Sequence, residues 1–316
     1  MIIKKITFFI LLFFIFTKSS KSDFKEIKKT AIVNKPEIIF PIQKKSDKCI
    51  TNMYVNQTTN PVLPVINVDA PIGYGLDNRF MYALNKFENF KRPCGGGDIE
   101  ACENVKRVIL DWAKADAAKR TGPSNHEGRH WNDTLTVNLW VASPMMAGYS
   151  FAKQIIKVPD NEDKLIKDWF ERIVKKNKHL MYGMTYKQGT QAIGVPKRAH
   201  NHALSSAIAH MELGILLNDN IQFRKAFKNY EAAIKHQRGD GSLPIETRRG
   251  GRAMFYQGRA MNALSVIAII AENQGYNIWE YDYKGKNFHN IVKFFIDFTE
   301  TNEIVFKYAK EMKSPG

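Results

Sequence analysis

Residues 204–233 read LSSAIAHMELGILLNDNIQFRKAFKNYEAA, and this stretch decides the architecture. Leu204, Ile208, Met211, Ile215 and Leu216 recur at three- and four-residue intervals, the period that lines one face of an α-helix. Asn218-Asp219-Asn220 then supplies a turn, after which Phe223, Phe227, Tyr230 and Ala233 restart the same period. Two helices joined by so short a connection pack as an antiparallel hairpin.

The same signature recurs on both sides. Val105, Ile109, Trp112 and Ala113 form one stripe, and Leu165, Trp169, Phe170, Ile173 and Val174 form another. The stretch from Leu135 to Ile156 is apolar on most sides and predicts a buried helix, while Met254 to Ile270 and Phe288 to Phe298 complete the set. Strand-type alternation is scarce, and no short solenoid repeat is visible. Seven or more such helices predict an all-α fold, an incomplete (α/α) toroid of antiparallel helical hairpins curled round a central cleft. Residues 60–100 and 120–133, rich in Pro, Gly, Asn and aromatics, are expected as irregular loops, where binding residues concentrate.

The N-terminus reads as a processing segment. Lys4 and Lys5 precede an apolar run, Ile6 to Phe16, that is short for a membrane span, and Ser20-Lys21-Ser22 offers small residues for cleavage before Asp23. The expected organisation is a signal peptide over 1–22, a basic linker over 23–48 and one helical domain over 49–316. The mature chain is expected to be periplasmic or secreted, with no membrane insertion. Removing residues 1–22 takes away Lys4, Lys5, Lys18 and Lys21 and no acid, lowering the formal charge from +16 to +12. A protein this basic attracts polyanions; export points to an anionic polysaccharide and away from nucleic acid. Three cysteines, Cys49, Cys94 and Cys102, suit an oxidising compartment with one disulfide. Either Cys94–Cys102 or Cys49–Cys102 is compatible with the spacing, which does not resemble a zinc site.

Two constellations bear on chemistry. His126-Glu-Gly-Arg-His130 matches the H-E-x-x-H zinc-peptidase pattern, in which His126 and His130 bind the metal and Glu127 activates water. That chemistry needs a regular helix, and Pro123, Ser124, Asn125 and Gly128 make a poor one. The zinc metallopeptidase is therefore the alternative, and no metal is the expectation. The second constellation joins Arg198-Ala-His-Asn-His202 to Asp240-Gly-Ser-Leu-Pro-Ile-Glu-Thr-Arg-Arg-Gly-Gly-Arg-Ala-Met-Phe-Tyr256. It supplies an amide, imidazoles, guanidinium groups and a phenol. Removing the C5 proton of a uronate requires donors that neutralise the adjacent carboxylate, a base near C5 and an acid for the departing O4. Asn and Arg suit the clamp, and His or Tyr suits proton transfer. A glycoside hydrolase would instead need two carboxylates facing one cleft, for which Asp240 and Glu246 are the nearest pair.

These two segments, together with Ile109-Leu-Asp-Trp-Ala-Lys-Ala-Asp116, resemble the alginate lyases of polysaccharide lyase family 5. Those enzymes carry an Asn-Asn-His segment followed by Gly-x-Leu-Pro-x-Glu … Arg … Arg-Ala-x-x-Tyr. The resemblance runs from about residue 95 to 295. It implies an incomplete α/α toroid, a periplasmic polyuronate lyase and no required metal. By position it implies that Asn201 and Arg249 neutralise the substrate carboxylate, that His202 is a base or further donor, and that Tyr256 is the proton donor. Further substrate contacts are expected from His126, His130, Trp131 and Asn138. Trp140, His200 and Arg252 complete that expected set. His200 stands where the family has Asn, and Gln257-Gly-Arg259 stands where it tends to have His-Asn-Tyr. Mannuronate-rich alginate is the expected substrate, and glucuronan the alternative polyuronate.

Overall fold

The computed structural model describes residues 23–43, 78–118, 141–176 and 194–301, with 303, 307 and 308. The described residues form helices α1 (Phe24–Thr30), α2 (Asn78–Gly95), α3 (Ile99–Lys114), α4 (Ser143–Ile155), α5 (Asp160–Lys176), α6 (Asn201–Leu217), α7 (Asn220–His236), α8 (Pro244–Thr247), α9 (Ala253–Asn273) and α10 (Phe288–Glu300). No named strand occurs among them; one isolated bridge joins Tyr283 and Lys286.

The hairpins follow one another in space as in sequence. α2 pairs with α3, α3 packs on α4 and α5, and both of these pack on α6. α6 pairs with α7 and rests on α9, which packs on α10. This succession is that of an α/α toroid. α6 is its hub, buried from Asn201 to Leu216. Its lack of a polar face, with Ala203, Leu204, Ala207 and Leu213 on different sides, explains why helices surround it.

The α6–α7 turn shows how sequence makes a hairpin. Asn218 adopts the left-handed conformation (φ 54°) that ends α6, and Asp219 Oδ1 caps α7 by accepting from the Ile221 and Gln222 amides at 2.8 and 3.2 Å. Gly214 permits close crossing, because a Cβ there would stand 2.4 Å from the Phe223 backbone nitrogen. Large side chains fill the neighbouring layers. Trp112 and Trp169 meet edge-on at 6.5 Å, and the Trp169 indole N–H donates to the Ala117 carbonyl at 2.8 Å.

Three sequence expectations change. α2 occupies much of the stretch expected as loop. Pro93 sits in its last turn, where the missing N–H costs one hydrogen bond and the helix is about to end. The cysteine pairing left open by spacing is Cys94–Cys102, across the α2–α3 turn, with Cα atoms 4.6 Å apart; Cys49 lies outside the described residues.

The third change concerns the basic segment expected as linker, whose residues 23–43 are packed. Phe24 stacks on Tyr281 at 4.0 Å, and Lys28 pairs with Glu231 at 2.5 Å. Gln274 accepts from the Lys35 amide at 2.8 Å and donates to the Ile38 carbonyl at 2.7 Å. The Ile39 amide donates to Ser150 and that of Gln43 to the Gly95 carbonyl, both at 2.9 Å. Lysine-rich composition mimics a linker because the lysines face outward while Phe24, Ile27, Val33 and Ile39 face the core.

Gly214→Ala should force α6 and α7 apart, since the obstructing atoms are backbone. A loss of about 1–3 kcal/mol in urea-unfolding free energy is expected; unchanged stability would show that the crossing is not set by this glycine.

Candidate active site

The N-terminus of α6 and the 238–256 segment meet. α8 is a single helical turn that begins with Pro244 at its first position and carries Glu246 inward, 0% exposed. Glu246 Oε1 accepts from the Asn201 backbone amide at 2.8 Å, and Oε2 accepts from Asn201 Nδ2 at 2.6 Å. Arg249 Nε lies 3.6 Å from Oε2. Burial raises the Glu246 carboxyl above its ordinary value, and Arg249 and the Asn201 donors oppose that rise. Every one of these contacts is a donor, the arrangement an ionised carboxylate needs.

Arg249 is held from several sides. Nη2 donates to His200 Nε2 at 2.5 Å, and its guanidinium carbon lies 3.9 Å from the centre of the Tyr256 ring. His200 precedes α6, with Nδ1 3.2 Å from the His202 amide. Both of its ring nitrogens thus face donors, which excludes an imidazolium; since arginine can only donate, the short contact places the lone pair on Nε2. Burial, then the neighbouring His202 and Arg249, lower its proton affinity well below the ordinary value. The His202 ring meets His200 edge-on at 4.6 Å, and its pKa is lowered to about 3 by burial first and then by the charges of Arg249 and Arg259. Both imidazoles are therefore neutral at pH 7, the form a base requires.

The supporting loop is tied down separately. Arg238 donates to Thr247 Oγ1 at 2.8 Å and to Ser242 Oγ at 3.2 Å. Gln257 Oε1 accepts from the Leu243 amide at 3.0 Å. Gly241 (φ +90°) lies against α10 so closely that a Cβ would stand 1.9 Å from the Asn290 carbonyl oxygen.

The structure brings Asn201, His202, Arg249 and Tyr256 together as the sequence expects. His200, expected as a substrate contact, is 4% exposed and instead holds Arg249. Arg252 is exposed at the mouth of the segment. His126, His130, Trp131, Asn138 and Trp140 lie outside the described residues, as does Glu127. Asp240 and Glu246 do not form a facing pair of catalytic carboxylates: Glu246 is enclosed, and Asp240 accepts from the Tyr308 hydroxyl and the Ser242 amide. Among the described residues no group of three His, Cys, Asp or Glu could hold a metal ion. Sequence reasoning left Glu246 as a loop support and missed Gln257; an acid and an amide flanking a cluster of arginines and a tyrosine were the available signal.

An α/α toroid whose hub helix presents an amide, a neutral imidazole, a clamped guanidinium and a phenol defines a protein built to receive a carboxylate-bearing ligand. Residues 34–306 match the family described as alginate lyase, and the chain belongs to that family. Similar proteins include alginate lyases of Cobetia marina, 26% identical over 186 residues, and of Pseudomonas syringae pv. syringae, 24% identical over 186 residues. Each alignment covers 58% of this chain and 45% of the relative; the chain spans about half the length of the curated relatives it matches. Among solved structures, alginate lyase A1-III from Sphingomonas species A1 superposes with a TM-score of 0.60 at 18% identity, covering 90% of this chain and 78% of that one. A histidine-to-alanine form of alginate lyase A1-III, complexed with a tetrasaccharide, gives 0.62 at 20% identity, covering 74% and 65%.

Glu246→Ala should cost about 3–5 kcal/mol, because it leaves a buried guanidinium and two donors without their acceptor. Glu246→Gln, which keeps one acceptor oxygen, should cost less; equal losses in chemical denaturation would make the charge irrelevant. His202 also predicts an acid dependence. Its folded pKa lies below its unfolded value, so its contribution to stability is full above about 6.5 and is lost as pH falls toward about 3. Unfolding free energies measured between pH 7 and 4 should fall more steeply for the native chain than for His202→Gln.

Proposed function

We propose that this chain is a polysaccharide lyase that cleaves a polyuronate by β-elimination, with mannuronate-rich alginate as the preferred substrate. The observation that carries this reading is the Arg249 guanidinium, held between the neutral His200 ring and the face of Tyr256 beside Asn201 and His202. The names of the similar proteins and the tetrasaccharide bound to a structural neighbour support the same class of ligand.

In this mechanism Arg249 and the second Nδ2 hydrogen of Asn201 bind the uronate carboxylate and stabilise the charge that develops on it as C5 loses its proton. Glu246 orients both groups. His202, neutral, accepts the C5 proton. The released electron pair forms the C4–C5 double bond as the C4–O4 bond breaks, and Tyr256 gives its proton to O4. The new non-reducing end carries a 4,5-unsaturated uronate. Binding a carboxylate between the guanidiniums offsets the charges that lower the proton affinity of His202, so the base strengthens when substrate arrives.

We further infer that the chain acts after export to the periplasm, a reading supported by the Lys4 to Ser22 leader pattern. No helix among the described residues is long and apolar enough to cross a membrane.

The test is direct. Purified protein is incubated with polymannuronate, polyguluronate and glucuronan while ultraviolet absorbance of the unsaturated product is followed. Polymannuronate should give the fastest rise, and a flat trace on all three rejects the lyase. Tyr256→Phe should lower kcat by about 10²–10⁴-fold with the fold retained; full activity would remove Tyr256 as the acid. The acid limb of kcat/KM should lie below the ordinary histidine value of 6.5, following the lowered pKa of His202. Loss of activity on chelation would instead favour the metallopeptidase-type site at 126–130.

A further inference from the structure

Beyond Tyr256, α9 carries a second cation that the mechanism above does not use. Phe255 and Arg259 are one helical turn apart, and the Arg259 guanidinium carbon lies 4.8 Å from the centre of the Phe255 ring. The Phe255 and Tyr256 rings meet edge-on at 5.3 Å, and Arg249 covers Tyr256 at 3.9 Å. The four side chains form a strip in the order cation, ring, ring, cation. Phe255 is 57% exposed, which core packing does not explain. Arg259 also acts on the reacting group: its charge is the second of the two that lower the proton affinity of His202. The outer end of the strip therefore belongs to the electrostatic environment of the reacting centre.

We propose that Arg259, supported by the Phe255 ring, binds the carboxylate of the uronate residue adjoining the one that is cleaved. This inference rests on the polyuronate reading given above. A polyuronate carries a carboxylate on every sugar, so a cleft that clamps one with Arg249 meets the next a residue away. A guanidinium laid against an aromatic face keeps its hydrogen-bonding edge available for a carboxylate while its rotamer is restricted, which lowers the ordering cost of binding. The arrangement has a consequence for selectivity: a chain whose neighbouring sugar is uncharged leaves Arg259 without its ligand and binds more weakly.

The experiment measures binding and turnover separately. Calorimetric affinity for a tetrauronate is compared in the Tyr256→Phe background, which keeps the ring, with and without Arg259→Gln. Turnover is followed in the single variants Arg259→Gln and Arg259→Lys. Arg259→Gln should raise both Kd and KM about tenfold or more at low salt, the scale of a charge-assisted hydrogen bond. It should change kcat by less than about threefold and leave the thermal midpoint in place. The difference should shrink at high salt, and Arg259→Lys should recover most of the affinity. With a carboxyl-reduced tetrasaccharide the native and Arg259→Gln affinities should coincide. An unchanged Kd, a fall in kcat at constant Kd, or an equal loss with the carboxyl-reduced sugar overturns the proposal. If the tetrauronate binds but the native chain forms no unsaturated product, the lyase reading fails while the affinity ratio still decides the role of Arg259.

Discussion

A single buried carboxylate organises the site. Glu246 is enclosed on α8, accepts from the Asn201 backbone and side chain at 2.8 and 2.6 Å, and faces Arg249 at 3.6 Å. Taking a carboxylate out of water costs several kcal/mol unless donors replace the lost hydration. The donors here belong to the hub helix and to the arginine loop, so satisfying Glu246 brings those two segments together. Asn201 and Arg249 are positioned as a by-product of solvating one acid.

The rest of the fold can be read as what that contact requires. α6 must start at a fixed point, and it is surrounded by α4, α5, α7 and α9, with no polar face by which it could rotate toward solvent. Gly214 sets its distance from α7, and Gly241 sets the approach of the arginine loop to α10. Gln257 and Arg238 tie the intervening turn to its neighbours. The N-terminal strap clasps the same assembly from outside, bonding to Gln274, Ser150 and the Gly95 carbonyl. Rigid surroundings matter because a carboxylate clamp works only when its donors need little reorganisation.

The electrostatics follow from the packing. Two guanidiniums act on His202, and burial adds to their effect, so its pKa falls to about 3. Such a base is weak in the empty site and strengthens when an anion arrives, which couples substrate binding to proton abstraction. Glu212, on the same helix, shows the opposite case: complete burial raises its pKa to about 8, leaving it protonated at neutral pH. One helix therefore carries an acid kept neutral by desolvation and an imidazole kept neutral by desolvation and charge.

Much of the architecture was legible in the sequence, because a three-to-four residue apolar period is a local property. The hairpin at Asn218–Asn220, the buried α6 and the grouping of Asn201, His202, Arg249 and Tyr256 were all readable from types and spacing. Other features were decided only in three dimensions. Pro93 and the glycines after it resemble loop, yet the chain is helical up to them because a proline in the last turn forfeits little. The lysine-rich segment resembles linker, yet its few apolar residues reach the core. His200 looks like a ligand for sugar, yet Arg249 claims its Nε2, because a buried guanidinium must find an acceptor and the imidazole is the one at hand. Residue types determine which chemistry is available; which of them face the substrate and which hold their neighbours is decided by burial, since a polar group taken out of water must be satisfied by whatever the fold places beside it.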